Sequence, residues 1–347
     1  MSEILDESLK KIVKGTGIVF VGTIIGMLLA FISRLIIIRY LSQSEYGAFS
    51  LGLALMNIFV FISTLGLQQG IPRYMGYFRG KNEKKIWSVI SSSLQLSMVS
   101  SIFISFFSYF SSGFFADFFN IPELSIILKI FAIAIPFFAL INIFVSIFRG
   151  FDRVDVKVYF RDILRNILTI IFFVLIVIFG LSFVSVMYAY TAAIIITAIF
   201  FAIYSIKRLF RVKEDEKSES MRKSLLFFSI PLLAQGFLIM VMSWTDTLML
   251  GYFKTADIVG LYNAALPLSR LIPLFLTSLV FIYVPIVSQL YSKNLIEEMR
   301  RNYAVLTKWI LSATLPVFLT LFLFPSTVLN FFFGYRYIQA DFALQIL

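Results

Sequence analysis

The feature that most constrains this chain is a series of apolar runs, each long enough to cross a bilayer as a helix. A membrane-spanning helix needs about 20 mostly apolar residues. The chain is 60% hydrophobic and only 14% charged, whereas soluble domains are about 25% charged. The sequence therefore predicts an all-α membrane protein with about nine to ten transmembrane helices. The predicted spans are 16–38, 46–67, 88–112, 124–148, 163–181, 183–206, 225–250, 258–284 and 303–324, with a tenth beginning near Phe342.

Positive charge is distributed unevenly between the predicted spans. Most of the 30 Lys and Arg residues lie in the N-terminal segment and in every second connection, and the alternate connections are nearly bare. Cytoplasmic loops carry an excess of Lys and Arg, so we predict a multi-pass protein of the cytoplasmic membrane with a cytoplasmic N-terminus. The pattern accounts for most of the net charge of +11 without nucleic acid as a partner. Some basic stretches are expected to contact anionic membrane lipid headgroups.

The residue types that are missing from the sequence limit the reactions and metal sites that it can support. The chain contains no Cys and no His, which excludes disulfides, thiolate metal sites and imidazole catalysis. It also contains no phosphate-binding loop, no dinucleotide fingerprint and no cluster of metal ligands. We therefore expect no metal and no organic cofactor, and we consider H⁺ or Na⁺ as a coupling ion.

The most polar stretch, 207–223, separates two parts of the chain. Its composition is typical of a solvated linker. We predict an N-terminal six-helix lobe over 1–206, a cytoplasmic linker over 207–224 and a C-terminal lobe over 225–347.

A parallel internal repeat supports this division. A shift of about 213 residues keeps the topology and superimposes basic connections of similar length. It also aligns Tyr40-Leu41 with Tyr252-Phe253, Gly47 with Gly260, and Pro72 with Pro285. Leu347 then aligns near Ile130, which predicts a C-terminal lobe truncated after about three helices. The alternative is a natural short form with an unusual architecture.

Four charged residues within or near the ends of the predicted spans are the site candidates. A charge at bilayer depth costs about 2.5–3.5 kcal/mol on insertion scales and usually faces a cavity or a partner. Arg34, Arg39 and Arg270 are predicted to bind substrate in a central cavity, with snorkelling as the alternative for Arg34 and Arg39 and a structural ion pair as a further alternative for Arg34. Asp246 is a candidate for ion coupling, and its alternative is an ion pair with Arg270 that fixes helix packing.

Five segments spread along the chain carry a resemblance to a known family. They are SQSEYGAFSLGLAL (42–55), STLGLQQGIPRYMGYFRGK (63–81), IFRGFDRVDVKVYFRDIL (147–164), SIPLLAQGFLIMVMSWTDTLMLGYF (229–253) and VGLYNAALPLSRLIPLF (259–275). Together they resemble the polysaccharide-biosynthesis flippases, of O-antigen-translocase type, in the multidrug/oligosaccharidyl-lipid/polysaccharide (MOP) exporter superfamily.

The resemblance implies a MATE-like architecture of twelve or more helices in two six-helix lobes. It implies that a polyprenyl-pyrophosphate-linked oligosaccharide crosses the membrane by alternating access. Cavity cations of the family engage the pyrophosphate, and Arg34 and Arg270 match that role by position. The chain departs from the family pattern because it ends early.

We therefore predict a flippase for a lipid-linked oligosaccharide in surface polysaccharide biosynthesis, with glycan-assembly proteins as further partners. The first alternative is a multidrug and toxin extrusion cation antiporter of the same superfamily. Such carriers need acidic cavity residues, whereas the first span offers Arg34. A membrane glycan polymerase or glycosyltransferase is less favoured, because the outer connections are short and contain few titratable groups. The last alternative is an inactive fragment or an assembly partner.

Overall fold

A computed structural model describes residues 2–209 and 221–347 of the chain. Within those two ranges the protein is α-helical and contains no β-strand. The helices are α1 (Ser2–Tyr40), α2 (Gln43–Ser63), α3 (Leu67–Phe78), α4 (Glu83–Phe110), α5 (Ser112–Phe118), α6 (Glu123–Gly150), α7 (Asp155–Lys157), α8 (Arg165–Phe179), α9 (Phe183–Leu209), α10 (Arg222–Phe253), α11 (Ala256–Ser269), α12 (Ile272–Ser292), α13 (Ile296–Leu323), α14 (Pro325–Phe333) and α15 (Asp341–Ile346). A π-helical segment (Val158–Leu164) joins α7 to α8, and a 3₁₀ segment (Tyr335–Ala340) joins α14 to α15.

Eight helical stretches among the described residues are long and apolar enough to span a membrane. They are Val19–Tyr40, Gln43–Phe78, Glu83–Phe110, Glu123–Gly150, Asp155–Phe179, Phe183–Leu209, Arg222–Phe253 and Ile296–Leu323. Each corresponds to one of the nine predicted spans. Large apolar side chains such as Phe103 and Phe110 are exposed on these helices, which suits contact with lipid. The chain is a multi-pass helical membrane protein.

The eighth predicted span, 258–284, differs from the observed structure. It is divided into α11 and α12, with a break at Arg270 and Leu271. Pro273 explains the break, because proline lacks an N–H group and its ring clashes with the carbonyl group four residues earlier. Broken helices are common around the binding sites of transporters.

Local capping signals explain where several helices begin. Ser42 and Glu45 form a capping box at the start of α2, in which each side chain bonds the other residue's backbone N–H. The Asn82 side chain accepts a hydrogen bond from the Lys85 N–H at the start of α4. Gly180 ends α8 with a φ of 59°, a left-handed conformation that favours glycine.

The described chain divides into two compact units, Met1–Val259 and Gly260–Leu347. In the first unit α6 is the central helix and packs against α2, α3, α4, α5 and α9. Its side chains Ile127, Phe131 and Ile135 are fully buried. A Cβ atom at Gly52 of α2 would lie 2.4 Å from Ile127 Cγ2, so glycine permits this close packing of α2 on α6.

Helix α10 also lies in the first unit, where it packs against α2, α3 and α4. A Cβ atom at Gly70 of α3 would lie 2.3 Å from the Ser229 hydroxyl oxygen. The Tyr74 hydroxyl donates a hydrogen bond to the Ser224 carbonyl oxygen at 3.2 Å. Most of the predicted linker lies outside the described residues, so the division into lobes at 207–224 stays a prediction.

The second unit is built on α12 and α13, which pack against each other. The Tyr283 hydroxyl donates to the Met299 carbonyl oxygen at 3.3 Å and joins the two helices. Helices α14 and α15 pack on α13, and the Gln345 amide donates to the Phe322 carbonyl oxygen at 3.0 Å. The short helix α15 occupies the position where the sequence predicts the start of a tenth span.

Candidate substrate-anion site

A row of charged side chains lies on the membrane-spanning stretch that begins at Asp155. Lys157, Arg161 and Arg165 follow one another at intervals of four residues, so they lie along one side of the helix. A rise of about 1.5 Å per residue places Arg161 about 9 Å and Arg165 about 15 Å from the first residue. All three side chains are partly buried. We call these three residues and Asp162 the charged ladder.

The ladder holds more positive than negative charge. Asp162 Oδ2 is buried, lies 3.5 Å from Lys157 Nζ and has no hydrogen-bond partner among the described residues. Arg161 interacts electrostatically with Asp162, with Arg165 and with Tyr190 of α9. Lys157 and Arg161 therefore interact with one carboxylate, and Arg165 adds a third cation, within a membrane-spanning helix where excess charge is expensive and usually functional.

Asn166 holds the ladder against α1. Its side-chain amide donates to the Gly26 carbonyl oxygen at 3.1 Å and to the Asp162 carbonyl oxygen at 2.8 Å. Its Oδ1 accepts a hydrogen bond from Arg165 at 3.5 Å. The Arg165 guanidinium carbon also lies 5.5 Å from the centre of the Phe138 ring, within cation–π range. Arg165 is therefore held from two sides.

The π-helical segment brings the ladder unusually close to α1. The Arg165 N–H donates to the Phe160 carbonyl oxygen, which is the hydrogen-bond spacing of a π-helix, a form often found at functional sites. A Cβ atom at Gly22 would lie 2.2 Å from Val158 Cγ1, and one at Gly26 would lie 2.8 Å from the Asp162 Cβ atom. Small residues four apart allow such close helix packing in membranes.

The predicted candidates on α1 lie at a different depth from the ladder. Arg34 is partly buried and Arg39 is exposed. Gly26 lies beside Asp162, and Arg34 is eight residues further on, or about 12 Å along the helix axis. The Tyr40 hydroxyl donates to the Leu181 carbonyl oxygen, which fixes the end of α1 next to the turn after α8.

The two other candidates lie in different units of the chain. Asp246 is partly buried on α10 in the first unit, and its Oδ1 accepts a hydrogen bond from the Thr247 N–H at 2.8 Å. Arg270 is exposed in the second unit, at the break between α11 and α12. A shared cavity of Arg34, Arg39 and Arg270, with Asp246 as the coupling residue, stays a prediction.

Sequence reasoning missed the ladder. It counted all three cations with the basic connection between the fourth and fifth spans, although Arg165 falls inside the predicted fifth span, 163–181. The helical stretch begins earlier, at Asp155. Two signals could have identified the ladder. The charges recur every four residues, and apolar residues such as Val158 and Ile163 lie between them. A helix shows that period and a solvated loop does not.

The described residues contain no group of three or more His, Cys, Asp or Glu side chains that could hold a metal ion. Asp162 and Asp246 are carboxylates within membrane-spanning stretches, so either could exchange a proton or contact Na⁺. The choice of H⁺ or Na⁺ as a coupling ion stays a prediction.

Comparisons with known proteins agree with the helical membrane architecture. The family described as polysaccharide biosynthesis protein matches residues 12–291. A probable low-salt glycan biosynthesis flippase of Haloferax volcanii, Agl15, is 24% identical over 333 residues, which are 94% of this chain. The chain spans 66% of the length of that relative.

Solved structures of similar fold are MOP superfamily transporters. An inward-facing multidrug resistance MATE family transporter has a TM-score of 0.70 at 15% identity, over 92% of this chain and 75% of that one. A transporter from Pyrococcus furiosus, whose binding pocket is described as having reverse polarity, has a TM-score of 0.58 at 17% identity, over 96% and 76% of the two chains. At these identities the likeness shows a MATE-like fold.

Proposed function

The chain belongs to the polysaccharide biosynthesis protein family, and on that basis we propose that it is a flippase for a lipid-linked oligosaccharide. The substrate carries its glycan on a polyprenyl pyrophosphate and crosses the cytoplasmic membrane by alternating access. The protein acts as a transporter and not as an enzyme. Membership of the family and the similarity to a glycan biosynthesis flippase support this proposal.

The charged ladder is the observation that supports an anionic substrate. It holds three cations and the carboxylate of Asp162 inside a membrane-spanning stretch. Arginine suits pyrophosphate because its planar guanidinium donates to two oxygens at once and stays charged at physiological pH. Arg161 and Arg165 would hold the pyrophosphate while the glycan follows an aqueous path and the polyprenyl chain stays in lipid.

Arg34 and Arg270 are proposed to bind the substrate as well. Arg34 lies further along α1, and Arg270 lies at a helix break of the kind that surrounds transporter binding sites. Arg39, which is exposed near the end of α1, would contribute less. Asp246 is proposed to bind or release the coupling ion, and the N-terminus is proposed to be cytoplasmic. Glycan-assembly proteins would deliver the substrate at that face.

A cation antiporter is the second candidate function. The buried Oδ2 of Asp162, which lacks a hydrogen bond among the described residues, is the observation that favours it. A carboxylate in that position could exchange a proton for a cationic drug. Lys157 lies 3.5 Å away and offsets much of that negative charge, so an anionic substrate fits the ladder better.

Transport by the full chain in proteoliposomes tests the proposal. The substrate is a fluorescent short-chain polyprenyl-pyrophosphate oligosaccharide, and dithionite added outside reduces only the outer leaflet. Arg161→Gln is expected to slow translocation at least tenfold, because hydrogen bonds to charged groups contribute about 1.5–3 kcal/mol. Arg161→Lys should recover part of the rate, since the positive charge remains.

Arg149→Gln is the matched control, because Arg149 is an exposed arginine at the end of α6 and outside the ladder. It is expected to leave the rate unchanged. Thermal unfolding and size-exclusion profiles of each variant separate lost transport from misfolding. A folded Arg161→Gln protein with the wild-type rate would contradict the anion site. Efflux of a lipophilic cation without movement of the glycan lipid would support the antiporter instead.

A further inference from the structure

A cavity of about 360 Å³ opens at one end of the first unit, and no residue of the charged ladder lines it. It lies where α3, α6 and α9 end and α4 begins. Three arginines line it: Arg79 follows α3, Arg153 follows α6, and Arg208 is in the last turn of α9. The chain thus brings cations from three separate sequence regions to one cavity.

Two of the three arginines around the cavity are paired with acids. Arg79 pairs with Asp152, and Glu83 is a further acid in the lining. Arg153 donates to both oxygens of Asp155, at 3.0 Å from its Nε and 2.9 Å from its Nη2.

These hydrogen bonds to Asp155 raise the pKa of the Arg153 guanidinium above its ordinary value, so it stays charged. Arg208 is exposed, and no hydrogen bond or ion pair with another described residue engages its side chain. Arg208 therefore offers guanidinium donors that none of the described acids occupies.

The cavity also has an aromatic wall. Trp87 of α4 and Phe151 line the cavity and are partly buried, and Phe148 of α6 also lines it and is buried. Trp is enriched where membrane helices meet the polar headgroup region, because its ring is apolar and its N–H is polar. The cavity therefore combines guanidinium donors for an oxyanion with an apolar surface for the group that carries it.

We propose that this cavity binds a phosphate group, carried on an anionic lipid headgroup or free in solution, with Arg208 as its main contact. Two oxygens of a phosphate accept two parallel N–H bonds from one guanidinium, and this geometry is specific to arginine. Arg153 contributes a fixed positive charge, and Trp87 covers the headgroup. The proposal concerns a site separate from the ladder and does not rest on the proposed transport function.

Native mass spectrometry of the full chain tests lipid binding. The protein is released from nanodiscs that contain phosphatidylglycerol and phosphatidylcholine in equal amounts. Wild-type protein is expected to retain phosphatidylglycerol, and Arg208→Gln should retain about tenfold less. Lys207→Gln is the matched control, because Lys207 is the adjacent exposed cation and does not line the cavity.

Trp87 fluorescence tests the free anion. Trp244→Phe and Trp309→Phe leave Trp87 as the sole tryptophan, since the chain has three. Inorganic phosphate is titrated into this protein in a zwitterionic detergent. A saturable change that Arg208→Gln removes identifies a soluble phosphate as the source, and retention of phosphatidylglycerol identifies the lipid. Neither effect in wild type, or equal losses in Arg208→Gln and Lys207→Gln, overturns the proposal.

Discussion

Two groups of cations in the first unit differ in how much of their charge is neutralised. Around the cavity, Arg79 and Arg153 each face their own acid, and their side chains are 50% and 45% exposed. The ladder holds three cations and one acid, Asp162, and all three cations are partly buried within a membrane-spanning stretch. Water and salt screen the first group, whereas the ladder keeps excess charge at a depth where charge is costly. Both groups contain arginines. The ladder is the transport candidate because its cations lie within a membrane-spanning stretch, whereas the cavity arginines lie at helix ends.

The variant with the largest expected effect tests whether residues outside the ladder also bind the substrate anion. We expect Arg34→Ala with Arg270→Ala to reduce glycan-lipid translocation at least 100-fold, because two charged contacts of about 1.5–3 kcal/mol each are lost. The measurement is the dithionite assay in proteoliposomes. Arg39→Ala is the control and should change the rate less than severalfold. A double variant at the wild-type rate would restrict the anion site to the ladder.

A second prediction concerns the close contact between α1 and the π-helical segment. Gly26→Ala is expected to lower the free energy of unfolding by about 1–3 kcal/mol, since added volume in a tight contact forces the backbone apart. The reason is the 2.8 Å distance from the added Cβ atom to Asp162 Cβ. Gly17→Ala on the same helix is the control, because no atom lies within 4 Å of a Cβ there. Thermal unfolding in detergent measures both, and equal melting temperatures would disprove the close contact.

The smallest expected effect concerns an ion pair at the cavity, where the charges are more exposed than in the ladder. Asp152→Asn removes the carboxylate that pairs with the half-exposed Arg79. We expect a loss of less than about 1 kcal/mol in unfolding free energy, as for other exposed ion pairs. Asp162→Asn, which removes the ladder's carboxylate, should change the unfolding temperature more. Equal changes in the unfolding temperature of the two variants would contradict the difference in charge burial between the two regions.

Much of the fold could be predicted from the length and spacing of apolar runs, because a bilayer requires spans of nearly constant length. The eight observed stretches each correspond to a predicted span. The break at Arg270 was not predicted, although Pro267 and Pro273 flank it, because prolines also occur within continuous membrane helices.

The candidate site was harder to predict, because the sequence alone does not show how deep in the membrane a charged residue lies. Arg34 stood out because apolar residues surround it on both sides. Arg161 follows several other basic residues. Because cytoplasmic loops are rich in Lys and Arg, the whole basic segment was assigned to such a loop. The cavity arginines are distant in sequence, and only tertiary packing brings Arg79, Arg153 and Arg208 together.

The π-helical segment gives residue insertions and deletions at this point a particular meaning. Deletion of one residue within Val158–Leu164 would allow ordinary α-helical hydrogen bonds to form again. A π-helical turn holds about one residue more than an α-helical turn, so the deletion removes the extra residue and the residues after it keep nearly the same direction around the helix axis. Arg165 and Asn166 would therefore still face Gly26, and Lys157 would keep its direction. A deletion in the α-helical part of α8 would instead rotate every later residue by about 100°, so the π-helical segment is the place where a one-residue difference is expected to change the direction of the cations least.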